Sequence, residues 1–273
     1  MSDLLAGGLA AAADKILRTA DPIAKTTLSR QVAAAWEEAR AKDQLPEIGT
    51  GQPPDFPARP DMPVLKPPRE VPRRRPGSPA GRIALLHAIA HIELNAVDLH
   101  WDIVSRFSYV SMPPGFYDDW VRAADEESKH FVLLSDRLTA LGSHYGALDA
   151  HAGMWRAAED TASDLLARLA IVPMVLEARG LDVTPGMIKL FEKAGDTDSV
   201  AALEVIYAEE VGHVAYGSKW FHFLCGRHEF DPKACFHNLV RKHFNGQLKP
   251  PFNDEKRAEA GIPLDFYWPL AED

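Results

Sequence analysis

Cysteine is almost missing from this chain. Cys225 and Cys235 are its only two, ten positions apart, and they form neither a C-x-x-C pair nor a disulfide framework. A disulfide-stapled scaffold is therefore excluded, and two small buried thiols in a reducing compartment are the expected reading. No run of 18 uninterrupted apolar residues occurs, so no membrane span is expected. Met-Ser-Asp-Leu-Leu at the N-terminus lacks a basic start, and Gly7 and Gly8 break the apolar stretch that follows, which makes a poor signal peptide. A cytoplasmic location is the expectation. Basic charge is also short: 30 Lys and Arg face 39 Asp and Glu, a net −9, which disfavours non-specific nucleic-acid binding by the chain as a whole. Strand-like alternation is scarce, so the expected fold class is all-α.

What is present suits one large domain with extensions, or two small ones. Apolar residues make up 46% of the 273, enough for a full core, and charged residues at 25% are ordinary. Residues 3 to about 43 read as two helices parted at Asp21-Pro22, the second running from near Thr26. Residues 46–79 hold 11 of the 21 prolines, which rules out a regular helix and leaves an extended segment, lying along the body or serving as a linker. Ser78-Pro79 looks like an N-cap with proline at the first helical position, opening a helix to about Phe107. Further long helices are expected over 117–141, over 153–179 with a bend at Pro173, and from Asp196 to about Cys225. Between the last two, Thr184-Pro185 should start a short helix. A helix over 231–246 and a surface-draped tail complete the chain. The expected division is an N-terminal extension (1–45), a Pro/Arg-rich segment (46–77), a four-helix bundle (78–225) and a C-terminal tail (226–273).

Two segments carry the chemistry. Glu127-Ser-Lys-His130 and Glu210-Val-Gly-His213 are both Glu-x-x-His within helices. Three residues make nearly one turn, so each carboxylate and imidazole share a face and can grip one metal ion. The motif alone is weak, because 17 glutamates and 11 histidines in this length yield about 0.7 such pairs by chance. The other two long helices strengthen it. Glu93 sits in Ala-Ile-Ala-His-Ile-Glu-Leu-Asn-Ala-Val and Glu177 in Ile-Val-Pro-Met-Val-Leu-Glu-Ala-Arg, apolar settings where a carboxylate needs a neutralising partner. Glu93 to Glu127 spans 34 residues and Glu177 to Glu210 spans 33, as if one helix pair were repeated. Four glutamates and two histidines then suit a pair of metal ions. The plainer alternative is that glutamate-rich helices present solvated faces.

His100 lies two turns after Glu93 and could be an extra ligand or donate to one, or be a packed helix histidine. Tyr207 precedes Glu210 by three residues and could bond a ligand or be oxidisable, or be a core tyrosine. His87 and His91 stand more than about 100° from the Glu93 face and read as packing or surface residues. Arg73 to Arg75 could bind phosphate or RNA, although such runs more often pair with surface acids.

The stretches Val71-Pro-Arg-Arg, Leu85-Leu-His-Ala-Ile-Ala-His-Ile-Glu, Val172-Pro-Met-Val-Leu-Glu-Ala-Arg-Gly-Leu-Asp-Val-Thr-Pro-Gly-Met and His213-Val-Ala resemble an uncharacterised bacterial family within the ferritin-like superfamily. That resemblance implies a ferritin-like four-helix bundle with a di-metal centre, with iron expected and manganese the alternative. It implies that Glu127 and Glu210 bridge the metals, with Glu93 and Glu177 as terminal ligands and His130 and His213 one on each ion. The implied activity is an O2- or peroxide-dependent oxidoreductase or hydroxylase. Its partners would be a small-molecule or modified-RNA substrate and an electron donor, and a homodimer is compatible with the sequence. A non-catalytic iron-binding or stress protein, and a structural bundle without metal, are the competing readings. No four-cysteine rubredoxin-like module is present, and the long extensions argue against a storage cage.

Overall fold

The computed structural model describes residues 3–67, 70, 77–151 and 153–272. The arginines at 69 and 73–75, with the Val71-Pro-Arg-Arg stretch, lie outside the described residues. Among the described residues the secondary structure is helical, with one isolated parallel bridge between Leu65 and Ala150. The chain forms two compact units, Met1–Trp155 and Arg156–Asp273. Their boundary falls inside the segment 78–225 that the sequence suggested as one bundle. Each unit holds one of the two long helix pairs together with one of the terminal extensions.

In the first unit, α1 (Leu9–Leu17) and α2 (Pro22–Ala41) precede the long helices α3 (Pro79–Arg106) and α4 (Pro114–Ala140). Helix α2 starts four residues earlier than Thr26 because Asp21 accepts from the Ala24 amide and Pro22 takes the first helical position. Ser78 caps α3 in the same way, through the Gly81 amide. Helix α3 packs against α1 and α4, and α4 against α2.

Every residue of α3 from Glu93 to Ser105 is buried, so its polar side chains need partners from elsewhere. The N-terminal extension supplies several. Lys25 Nζ of α2 pairs with Asp98 at 2.5 Å, Ser29 Oγ accepts from Trp101 Nε1 at 2.8 Å, and Asp14 of α1 accepts from Ser105 Oγ. The Pro-rich segment lies along the body here. Pro54 O accepts from Arg106, Arg59 donates to Asn95, and Ala58 N donates to Leu17 O. Gly51 lies against Ser105 so closely that a Cβ would run into its carbonyl.

In the second unit the expected single helix over 153–179 is broken. It becomes α5 (Gly153–Asp160) and α6 (Leu165–Ile171), a π-helical segment (Val172–Glu177), and then α7 (Ala178–Lys193). Asp164 caps α6 through the Ala167 amide, which starts a new helix there. Pro173 has no amide to give, and the wider π winding begins beside it. Gly180 and Pro185, expected to end one helix and begin another, both lie inside α7. Pro185 cannot donate to the carbonyl of Leu181; Asn253 Nδ2 donates to it instead, at 3.2 Å. Helix α8 (Thr197–Arg227), capped by Asp196, packs against α7 and the π segment.

Gly217 of α8 is where that packing is tightest, since a Cβ there would overlap the Pro173 ring. Gly217→Ala is therefore expected to destabilise the protein by about 1–3 kcal/mol through overpacking. Urea unfolding of the two proteins tests this; equal midpoints would show that α8 and the π segment can part without cost.

The tail is not draped over a surface. Helices α9 (Pro232–His243), α10 (Asp254–Glu259) and α11 (Leu264–Glu272) fold into the second unit, with Phe236, Ile262, Phe266 and Tyr267 buried. Arg257, also buried, forks onto both Asp182 oxygens of α7 at 2.8 and 2.7 Å.

Candidate metal centre

The first unit assembles its donors from two helices. Glu93 and His100 come from α3; Glu127 and His130 come from α4. All four are buried. His130 Nδ1 stands 3.1 Å from Glu93 Oε2 and 3.5 Å from Glu127 Oε2. One ligand atom from each of Glu93, Glu127 and His130 falls within 4.8 Å of the others. His100 Nε2 lies 3.6 Å from Glu127 Oε1, and its ring stacks on Trp120 with centroids 5.3 Å apart. The α3–α4 pair thus brings three predicted ligands and His100 into one cluster.

The second unit carries one glutamate–histidine pair on α8. His213 Nδ1 faces Glu210 Oε1 at 3.7 Å, one helical turn apart, and both are buried. Glu177 is the last residue of the π segment, buried, on an element packed against α8. π turns often mark functional positions. Tyr207 is half-buried, and its hydroxyl accepts from Asn253 Nδ2 at 2.7 Å, tying α8 to the start of α10.

The donor set fits a metal ion. Neighbouring ligands of an octahedral ion at 2.0–2.1 Å stand about 3 Å apart, close to the separations around His130. Both histidines turn Nδ1 toward the glutamate three residues back, so both Glu-x-x-His motifs use the same imidazole nitrogen. Carboxylate and imidazole together suit iron, manganese or zinc.

His87 and His91 serve packing, as their helical phase suggested. His87 Nε2 accepts from the Gly146 amide at 2.9 Å. His91 Nδ1 meets Tyr145 Oη at 2.8 Å and its Nε2 meets the His151 carbonyl at 3.0 Å. Burial holds the His91 imidazole down to about 4, and the charges of Arg59, His151 and His87 add to that fall, so it is neutral near pH 7. No local sequence pattern marks the Lys25–Asp98 pair or the contact of Arg59 with Asn95, because these partners are distant in the chain. Cys225 is buried and Cys235 partly so; both are free thiols, and burial raises the Cys225 thiol to about 12.

Among the described residues the structure therefore defines an all-helical protein, with a buried cluster of Glu93, Glu127 and His130 in the first unit and a buried Glu210–His213 pair in the second. Among the described residues no helix is long and apolar enough to cross a membrane. The chain belongs to the family described as "Protein of unknown function (DUF455)", whose model matches residues 18–268. A Haemophilus influenzae protein, described as "Uncharacterized protein", is 39% identical over 232 residues, covering 80% of this chain and 81% of that one. No solved structure matches the chain at a significant level.

Proposed function

We propose that this chain is a ferritin-like di-metal protein and an O2- or peroxide-dependent oxidoreductase, with Glu93, Glu127 and His130 holding one ion and Glu177, Glu210 and His213 the other. The observation that carries the reading is the buried trio of Glu93, Glu127 and His130. Four carboxylates balance two divalent ions, which supports a pair rather than a single metal. Iron is the favoured metal and manganese the alternative. Bound iron would supply electrons to O2 or peroxide. The chain's own part is to hold the donors in place, exclude water and set the orientation of Glu127 through His100.

Anaerobic loading with ferrous iron, followed by O2 and watched spectroscopically, tests the proposal. O2 uptake should stop after about one equivalent per metal pair unless electrons are resupplied, because the metals are the only redox reserve. Sustained iron oxidation far beyond that, with a soluble mineral product, would make the protein a store. Failure to take up iron would leave the glutamate–histidine contacts as structural pairs. The substrate class, a small molecule or a modified RNA, is the next question once oxidant use is established.

A further inference from the structure

A small cavity in the first unit lies on the other face of α3. Its volume is about 40 Å3, and Lys25, Arg59, Asn95, Asp98, His91 and Tyr145 supply its polar lining. Asn95 and Asp98 stand about 160° and 140° around α3 from Glu93, at 100° per residue, so the cavity is separate from the candidate metal ligands. Prolines 60 and 63 with Leu65 and Leu94 form its apolar walls.

The charges around it do not cancel. Lys25 and Arg59 bring two positive charges and Asp98 one negative, which leaves +1. Arg59 Nη2 donates to Asn95 Oδ1 at 2.8 Å, whereas Arg59 Nη1 is buried without a hydrogen-bond partner among the described residues. Lys25 Nζ uses two of its three protons, on Asp98 Oδ1 at 2.5 Å and the Ala58 carbonyl at 3.0 Å. Tyr145 and His91 satisfy each other. The His151 carbonyl can only accept, so His91 carries its proton on Nε2 and takes the Tyr145 hydroxyl proton on Nδ1. The unmatched donors are thus cationic, and a buried donor without an acceptor is costly.

We propose that this cavity is a binding site for one small planar monoanion, a carboxylate or bicarbonate, held by Arg59 and Lys25. A monoanion cancels the residual charge and supplies the acceptor that Arg59 Nη1 lacks. Size sets the upper limit: a water molecule needs about 10–15 Å3 of such space, so the cavity takes roughly three waters or one anion of three to four heavy atoms. The planar guanidinium favours a planar oxyanion. The proposal does not depend on metal binding.

Calorimetric titration of the full-length protein with sodium formate and, separately, sodium bicarbonate tests it, at ionic strength held constant with gluconate. Saturable one-site binding is expected for at least one of the two, and the pair of titrations tells a carboxylate site from a bicarbonate site. Benzoate should not bind. Arg59→Gln should weaken binding at least tenfold, as expected for loss of a charged contact, with circular dichroism confirming the fold. Arg59→Lys keeps the charge and loses the fork, so it should show a smaller loss, and it serves as the test if Arg59→Gln does not fold. No binding of either anion in the tens of millimolar, or affinity indifferent to both Arg59 substitutions, overturns the proposal.

Discussion

Replacing Glu127 or Glu210 with alanine is expected to lower iron content from about two ions per chain to one or fewer after anaerobic reconstitution. Each glutamate is the buried carboxylate one turn before a histidine in its own unit. In the first unit, loss of Glu127 leaves Glu93 and His130, too few protein donors for a tightly held ion. The metal-free fold should suffer much less, because crowded carboxylates without a cation repel one another. Elemental analysis and thermal melts of the metal-free proteins separate the two effects. A wild-type stoichiometry near zero would sink the metal reading. Unchanged metal content together with an unfolded metal-free variant would show that the glutamates are structural. His100→Ala should lower occupancy less than Glu127→Ala if His100 acts by positioning Glu127 rather than by binding directly.

Arg257→Ala should cost about 3–5 kcal/mol, the usual loss when one partner of a buried ion pair is removed. Arg257 forks onto both oxygens of Asp182, and its guanidinium lies 5.1 Å from the Phe252 ring centroid and 4.6 Å from that of Tyr267. Without it Asp182 is a buried carboxylate that keeps a 2.9 Å bond from the Asn253 amide and a longer contact to Arg179, and the two aromatic rings lose the cation they face. The tail should then loosen from α7, so chymotrypsin cleavage near Phe252 or Tyr267 should accelerate alongside the drop in urea midpoint. The double change Asp182→Leu with Arg257→Met should recover much of the loss, since a buried pair replaced by apolar side chains of similar size is often neutral. A loss below about 1 kcal/mol for Arg257→Ala would show that the pair sits in a more solvated setting than its burial indicates.

The sequence by itself determined the features that rest on short-range physics. Ser78-Pro79 and Asp196 mark helix starts because a side-chain oxygen reaches an amide three residues on and proline loses nothing at the first turn. Glu127 with His130, and Glu210 with His213, were readable as pairs because one helical turn brings them together whatever else the chain does. Membership of the all-helical class followed from the same periodicity. Only the tertiary structure decided the rest. Pro185 continues a helix because a side chain 68 residues later serves the carbonyl it leaves open. The π winding before Glu177, the split of the expected 153–179 helix and the burial of the tail all depend on packing partners remote in sequence. The N-terminal extension is part of a core because α3 is buried through a long stretch, and Asp98 finds its cation 73 residues away on α2. Such choices lie beyond sequence pattern: the cost of a buried charge or an open carbonyl is local, but the group that offsets it can come from anywhere in the chain.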